Sequence, residues 1–194
     1  TNFYKNILFP KADKIVWSSS ITTLPSDKDK EEFDKMSVLE RFDYQLKESG
    51  LNTLNTLKPE FSWASTDISE IKNFYKLDKY ILLFPFCSPH LSIKKWPYYN
   101  DLIKKISEKF GDEYKIITVP GPTEINDAKD INAIALLDNG RALDISQLTS
   151  LIIGSSFVVA NDTGPAHITA HTGTKGLSLF GKHTTAYKVN IERK

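Results

Sequence analysis

The stretch F-V-V-A-N-D-T-G-P-A-H, residues 157–167, predicts a strand, a tight turn and a helix in direct succession. Residues 157–160 form a short apolar run, which is typical of a strand buried in a parallel sheet. Residues 161–164 favour a turn, and Pro165 is suited to the first turn of a helix, where its missing N–H is not needed. Asp162 or Thr163 can cap that helix.

A helix that begins at the carboxyl end of a parallel strand can bind an anion. Its first N–H groups are unpaired and lie at the positive end of the helix dipole, and both features favour phosphate. Gly164 would let the anion approach the backbone closely. Ordinary capped helices use the same residue types, but capping does not require His167, a titratable residue one turn into the helix. The stretch therefore indicates a phosphate or pyrophosphate site.

Residues 79–180 alternate between predicted strands and predicted helices. The predicted strands are residues 79–86, 114–119, 133–137, 157–160 and 176–180. The predicted helices are residues 98–110, 123–132, 145–153 and 165–172. Pro97 is expected at the first helical position of the first of these helices and Asp144 at the cap of the third. The alternation predicts an α/β fold with a Rossmann-like parallel sheet, helices on both faces and ligands at the carboxyl ends of the strands.

The first part of the chain has a weaker pattern. Residues 6–9 and 14–17 can form short strands, residues 18–26 a loop, and residues 28–49 an amphipathic helix closed by Gly50. We place a linker near residues 59–78 and divide the chain into residues 1–64 and residues 65–194. The absence of an initial Met suggests a fragment of a longer protein.

Composition indicates a folded cytoplasmic domain. Hydrophobic residues make up 40% and charged residues 25% of the 194 residues, so a sizeable core can form. The net charge of +1 gives no support to nucleic-acid binding. The single cysteine, Cys87, excludes an internal disulfide and suits a reducing compartment. The sequence contains neither a signal peptide nor an apolar run near the roughly 20 residues of a membrane helix.

Two further strand ends carry candidate ligand-binding residues. After the first strand, Lys94 and Lys95 can supply positive charge to a diphosphate and Ser88 or Ser92 can donate a hydrogen bond, although paired lysines are often plain surface residues. After the second strand, Glu124 can accept both hydroxyls of a ribose, or it can merely favour the start of a helix.

The histidines leave two questions open. His167 and His171 are spaced four residues apart on one helix face, which can hold a metal, but no further ligands are evident and we predict no metal site. His183 follows the last strand and can line the same crevice or lie in an exposed loop.

Several motifs in a fixed order carry a resemblance to a known family. They are P-x-x-S-P-H-x(3)-K-K-W-P at 85–97, G-P-x-E at 121–124, Q-L-x-x-L-I at 147–152, N-D-T-G-P-x-H at 161–167 and L-F-G at 179–181. With these motifs the chain resembles the carboxyl-terminal half of glycosyltransferase family nine, the heptosyltransferases of lipopolysaccharide core assembly. The resemblance covers residues 79–185, and residues 36–50 look like the last helix of the family's first domain.

The resemblance implies the second Rossmann-like domain of a GT-B enzyme, which binds the nucleotide-sugar donor, together with the end of the amino-terminal domain. The family's diphosphate-contacting lysine then corresponds to Lys94, its ribose-binding glutamate to Glu124 and its sugar-facing aspartate to Asp162. Lys94, Asp162 and His167 would be the catalytic residues. The implied donor-binding residues are Ser88, Lys94, Glu124, Asp162, Thr163, Gly164, Pro165 and His167.

The implied reaction is inverting transfer of heptose from ADP-heptose to a lipopolysaccharide core or other glycan acceptor. It would take place in the cytoplasm, with the inner face of the inner membrane as a candidate location. The donor would be a substrate, no separate cofactor is expected, and contact with the membrane would be peripheral at most. The family's base is an aspartate in a glycine-containing loop of the first domain, which this chain lacks, and Asp13 is not assigned that role. The alternatives are another GT-B nucleotide-sugar enzyme, such as an epimerase, and a nucleotide-binding domain without catalysis.

Overall fold

A five-stranded parallel sheet is the centre of the computed structural model, which describes residues 31–33, 35–48, 51, 54–182 and 184–189. The strands are β1 (Tyr80–Phe84), β2 (Lys115–Thr118), β3 (Ile134–Ala135), β4 (Phe157–Asn161) and β5 (Gly176–Leu179). Their spatial order is β3-β2-β1-β4-β5, and all neighbouring strands are parallel. The predicted Rossmann-like α/β fold is confirmed.

The two strands at the middle of the sheet are the most buried. All five residues of β1 are buried, and so are the last four of β4. Because such strands are covered on both faces, their sequences are unbroken apolar runs and do not alternate with polar residues. The register pairs Leu83 with Thr118 on one side and with Val159 on the other, so that β1, β2 and β4 end at the same edge of the sheet.

The helices flank this sheet or belong to the unit that contains the amino-terminal residues. They are α1 (Val38–Glu48), α2 (Ser69–Tyr75), α3 (Tyr99–Phe110), α4 (Ile145–Ile153), α5 (Gly164–Thr172) and α6 (Ala186–Val189), with short 3-10 helices at Ser62–Ala64, Pro89–Lys94 and Asp127–Asp130. The predicted cap of α4 is confirmed: the Gln147 N–H donates to the Asp144 carboxylate at 2.8 Å, and the Asp144 N–H donates to the Gln147 side chain at 3.0 Å. Within the described residues, none of the helices has the length and apolar character needed to span a bilayer.

The core on one face of the sheet lies between the central strands and α3. Ile81, Leu83 and Val159 from the sheet form a buried cluster with Tyr99 and Ile103 from α3. The apolar positions of α3 recur at helical spacing, so its apolar side packs on the sheet while its charged side faces solvent.

Tyr80 joins β1 to the end of α4. Its side chain is fully buried, and its hydroxyl donates a 2.8 Å hydrogen bond to the carbonyl of Leu151, in the last turn of that helix. Gly154 makes room for this contact, because a Cβ at that position would lie 2.7 Å from the Tyr80 oxygen. Burial raises the pKa of Tyr80 to about 12, so the hydroxyl remains a donor throughout the physiological range.

The described residues divide into two compact units. Residues 60–185 contain the sheet, whereas the residues up to Pro59 associate with α6. The assignment of residues 1–64 and 65–194 to two domains of a longer enzyme stays a prediction. The predicted strands at 6–9 and 14–17, the loop at 18–26 and the closing Gly50 lie outside the described residues.

The prediction of one continuous helix over residues 28–49 is wrong. The helical turn around Phe33 ends before Ser37, and α1 begins after it. Ser37 and Glu40 form a capping box: the Ser37 N–H donates to the Glu40 carboxylate at 2.7 Å, and the Glu40 N–H donates to the Ser37 hydroxyl at 3.4 Å. The S-x-x-E spacing that starts this second helix is visible in the sequence, although the apolar periodicity continues across the break.

Other element boundaries differ from the predictions. Pro97 is not the first helical residue, because α3 begins at Tyr99 with Tyr98 at its cap position. Residues 123–132 form turns and a four-residue 3-10 helix in place of an α-helix, and the predicted strand at 133–137 is reduced to the two residues of β3. Helix α2 was not predicted, although Ile68 and Ile71 bury its apolar side.

Candidate active site

The strand order creates a crevice at the carboxyl ends of β1 and β4. From β1 the chain proceeds outward to β2 and β3, then crosses back to β4 and continues outward to β5. Because the connections after β1 and β4 run in opposite directions, the loops at these two strand ends separate and leave space for a ligand.

A cavity of about 290 Å³ occupies this position. Five of the predicted donor-binding residues line it, namely Ser88, Glu124, Thr163, Gly164 and Pro165. Much of the remaining wall is apolar and consists of Phe84, Phe86, Val119, Pro120, Leu143 and Leu148. The structure thus brings together candidates from three separate strand ends in a cavity with an apolar wall and few polar groups, which is typical of small-molecule sites.

Glu124 is oriented by a tight turn after β2. The Gly121 N–H donates to Glu124 Oε2 at 2.8 Å, and the Glu124 N–H donates to the Gly121 carbonyl at 2.9 Å. A Cβ on Gly121 would lie 3.1 Å from the same carboxylate oxygen, so glycine permits the close approach. Glu124 Oε1 accepts no hydrogen bond from the described residues, and no α-helix begins here, which removes the helix-start explanation of this residue.

Helix α5 begins at the cavity with unpaired N–H groups. Thr163 has extended backbone at the cap position, but its hydroxyl donates to the Asn161 carbonyl at 3.2 Å, so the predicted side-chain cap is not formed. The N–H groups of Ala166 and His167 donate to the Thr163 carbonyl, whereas those of Thr163 and Gly164 find no acceptor among the described residues. A Cβ on Gly164 would meet no atom within 4 Å, so this end of the helix is open to a ligand.

Lys94 and Asp162 form an ion pair next to this helix end. Lys94 Nζ lies 2.8 Å from Asp162 Oδ2 and donates a second bond, of 3.0 Å, to the Asp162 carbonyl. The Asp162 side chain is 4% exposed and that of Lys94 is 20% exposed. Lys95 is exposed and makes no ion pair with the described residues, so only Lys95 fits the description of a plain surface lysine.

His167 lies beside the same carboxylate, but it does not carry the charge of the site at neutral pH. Its Nε2 is 3.8 Å from Asp162 Oδ1, beyond hydrogen-bond distance. Burial lowers the pKa of His167, the nearby Lys94 ammonium lowers it further, and the Asp162 carboxylate only partly opposes these effects. The cation of the site is therefore Lys94, and the neutral imidazole offers one hydrogen-bond donor.

Lys94, Asp162 and His167 do not line the cavity and form a separate charged cluster, joined to the cavity wall by the peptide between Asp162 and Thr163. Among the described residues, no group of three or more potential metal ligands is found. His167 and His171 face each other with ring centroids 6.3 Å apart, and His183 lies outside the described residues.

Two buried residues at the site were missed by the sequence analysis. Asn161 was assigned to the turn but is the last residue of β4, fully buried, and it contacts the hydroxyl of Tyr99. Burial raises the pKa of the Tyr99 hydroxyl, which stays protonated. The available signal was a polar side chain directly after a run of apolar strand residues.

Comparison with known sequences assigns the chain to a family. The profile of glycosyltransferase family 9 (heptosyltransferase) matches residues 23–192. The chain belongs to glycosyltransferase family 9. The search of curated proteins found no significant match to this sequence.

Solved structures of other proteins share the fold of this family 9 chain. E. coli heptosyltransferase WaaC with ADP matches with a TM-score of 0.51 and 20% identity over 78% of this chain and 46% of its own. The same enzyme with ADP-2-deoxy-2-fluoro heptose matches with a TM-score of 0.50 and 18% identity, over 84% of this chain and 48% of its own. A family 9 glycosyltransferase from Veillonella parvula matches with a TM-score of 0.56 and 15% identity, over 79% of this chain and 46% of its own. The chain thus spans less than half the length of these structures.

Proposed function

We propose that this chain forms the donor-binding part of a heptosyltransferase that transfers heptose from ADP-heptose to a lipopolysaccharide core acceptor with inversion. One observation carries the proposal: the Lys94 ammonium, at the Asp162 carbonyl, and the N–H groups of Thr163 and Gly164, which find no acceptor among the described residues, flank the peptide between Asp162 and Thr163 at the carboxyl end of β4. This combination suits a diphosphate, because a cation and a helix N-terminus both stabilise its negative charge.

The cavity itself would hold the nucleoside. Glu124 Oε1 accepts no hydrogen bond from the described residues, which leaves it available for ribose hydroxyls, and the apolar wall around Leu143 and Leu148 suits a base. The structural relatives that bind ADP and ADP-2-deoxy-2-fluoro heptose support adenine as the base and heptose as the sugar. With this acceptor, the reaction would take place at the inner face of the inner membrane.

In the proposed reaction an acceptor hydroxyl attacks the anomeric carbon of the sugar from the face opposite to the diphosphate. The bond between that carbon and the β-phosphate oxygen breaks, and ADP leaves with the electron pair. Lys94 and the start of α5 would stabilise the charge that develops on the leaving diphosphate, while Asp162 would accept hydrogen bonds from the sugar hydroxyls. The base that removes the acceptor proton is not assigned to any residue of this chain.

Calorimetric titration of the 194-residue chain with ADP, UDP and GDP tests the proposal. We expect ADP to bind more tightly than the other two nucleotides. Glu124→Ala should weaken ADP binding by about 1–3 kcal/mol, or about 5- to 150-fold, through loss of a charged hydrogen-bond acceptor. Glu113→Ala, which removes an exposed carboxylate before the amino end of β2, is the matched control and should leave the affinity unchanged. Equal binding of the three nucleotides, or none, would contradict the proposal.

A further inference from the structure

The Asn161 side chain is hydrogen-bonded to both ends of the segment that carries Lys94. Its Nδ2 donates a 2.9 Å hydrogen bond to the carbonyl of Pro85, where the chain leaves β1. Its Oδ1 accepts a 3.3 Å hydrogen bond from the N–H of Trp96, where the chain returns toward α3. One buried amide therefore closes the base of the loop formed by residues 86–95, which contains Ser88 and Lys94.

The contacts require an amide at this position. A donor must face the Pro85 carbonyl and an acceptor must face the Trp96 N–H, and the two groups of an amide supply both. The Tyr99 hydroxyl lies 3.2 Å from the same Oδ1 and 3.1 Å from the Phe84 carbonyl, so it links the amide to the end of β1. A carboxylate would repel the Pro85 carbonyl, and an apolar side chain would leave both backbone groups unpaired.

The loop formed by residues 86–95 has few other hydrogen bonds to the rest of the protein. Leu91 and Lys95 donate backbone bonds within the loop, and the Cys87 thiol donates to the Leu91 carbonyl at 3.4 Å. Its side chains are largely exposed. Within the described residues, the loop has two attachments to the end of β4. One is the Lys94–Asp162 pair, and the other is the set of hydrogen bonds that Asn161 makes at the base of the loop.

We infer that Asn161 is a positioning residue for donor binding, which holds the loop so that Lys94 stands over the end of β4. Asn161 and Asp162 are consecutive, so one short piece of backbone sets both the base of the loop and the anion that Lys94 contacts. The expected effect of Asn161 on donor affinity rests on the proposed function, whereas its expected effect on loop opening does not.

The first test measures opening of the loop through the labelling rate of Cys87, the single cysteine of the chain. We expect Asn161→Leu to accelerate native-state labelling of Cys87 by iodoacetamide about tenfold, because the loss of buried hydrogen bonds favours opening of the loop. Thr149→Val is the control, since it removes a buried hydroxyl within α4, away from the loop. An unchanged labelling rate in a folded Asn161→Leu protein would overturn the inference. If that variant does not fold, the milder Tyr99→Phe should raise the rate about threefold, and no change would be equally decisive.

The second test asks whether Asn161 affects ADP binding through the position of Lys94. We expect Asn161→Leu to weaken ADP binding about tenfold in the wild-type background but less than about threefold when Lys94 is already Met, with adenosine affinity unchanged in both. A structural defect alone would give equal losses in both backgrounds and for adenosine, and would overturn the inference. If the wild-type chain does not bind ADP, the proposed function fails, and the labelling experiment still decides whether Asn161 holds the loop.

Discussion

The ion pair between Lys94 and Asp162 leads to a prediction in which two substitutions change ADP affinity in opposite directions. Lys94→Met should weaken ADP binding, because it removes the cation that would contact the diphosphate and leaves the nearly buried Asp162 carboxylate without its ammonium partner next to the ligand. Asp162→Asn should tighten ADP binding, because it removes a negative charge and frees Lys94 from its present partner. The loss of one residue of a purely structural pair would not produce effects of opposite sign.

The magnitudes follow from the exposure of the two side chains. A hydrogen bond to a charged group contributes about 1.5–3 kcal/mol, so Lys94→Met should cost about 10- to 150-fold in ADP affinity. The gain from Asp162→Asn is smaller, because Lys94 is 20% exposed and solvent already weakens the pair. A value of about 1 kcal/mol, between those of exposed and buried ion pairs, corresponds to about fivefold tighter binding.

The assay is calorimetric titration of each variant with ADP and with an ADP-linked sugar. For the ADP-linked sugar, Asp162→Asn should weaken binding, since the sugar hydroxyls lose a charged acceptor. Lys95→Met is the matched control: this neighbouring lysine is exposed, and its removal should change ADP affinity by less than about threefold because solvent and salt screen its charge. The reasoning is refuted if Asp162→Asn weakens ADP binding as strongly as Lys94→Met, or if the two lysine variants behave alike.

Three further predictions concern stability. Tyr80→Phe should lower the free energy of unfolding by about 1–2 kcal/mol in urea titrations, because the Leu151 carbonyl loses its buried donor; an unchanged midpoint would contradict this. Thr118→Val should raise it by about 1 kcal/mol, since the buried Thr118 hydroxyl has no partner among the described residues, and a loss of stability would argue against that assignment. Because burial lowers the pKa of His167 below its ordinary 6.5, the unfolded state binds more protons, and acidification from pH 7.5 to 5.5 should destabilise wild type more than His167→Gln. Parallel pH profiles of these two proteins would show that His167 does not contribute.

The sequence was most informative where one local pattern had a single structural solution. The apolar run before Asn161 and the D-T-G-P turn predicted β4 and the start of α5 to within one residue. The predicted cap at Asp144 was correct, because its partner Gln147 is local in sequence. Strand ends define where ligands bind in a parallel sheet, so three candidate segments could be placed at one edge before the strand order was known.

Predictions failed where a distant contact or a competing local signal decided the outcome. Pro97 is suited to a helix start, but α3 begins two residues later, after the Trp96 N–H has been engaged by Asn161. Ser37 interrupts a helix because its capping box outweighs an apolar period that continues across the break. The neutral state of His167 depends on burial and on Lys94, which is distant in sequence, and no local pattern reports it.

Three consecutive residues at the end of β4 divide the structural and chemical roles of the site between them. Asn161 is the last residue of β4, paired with Leu179, and its side chain is hydrogen-bonded at the base of the loop after β1. Asp162 binds Lys94, and the extended backbone of Thr163 leaves an N–H unpaired at the cavity. Because neighbouring side chains of extended backbone point in opposite directions, a shift of one residue would exchange these roles and bury the wrong group. Under the proposed function, a substitution at Asn161 is therefore expected to affect both the loop and donor binding, whereas at Gly164, where an added Cβ meets open space, a substitution is expected to obstruct the ligand and leave the core intact.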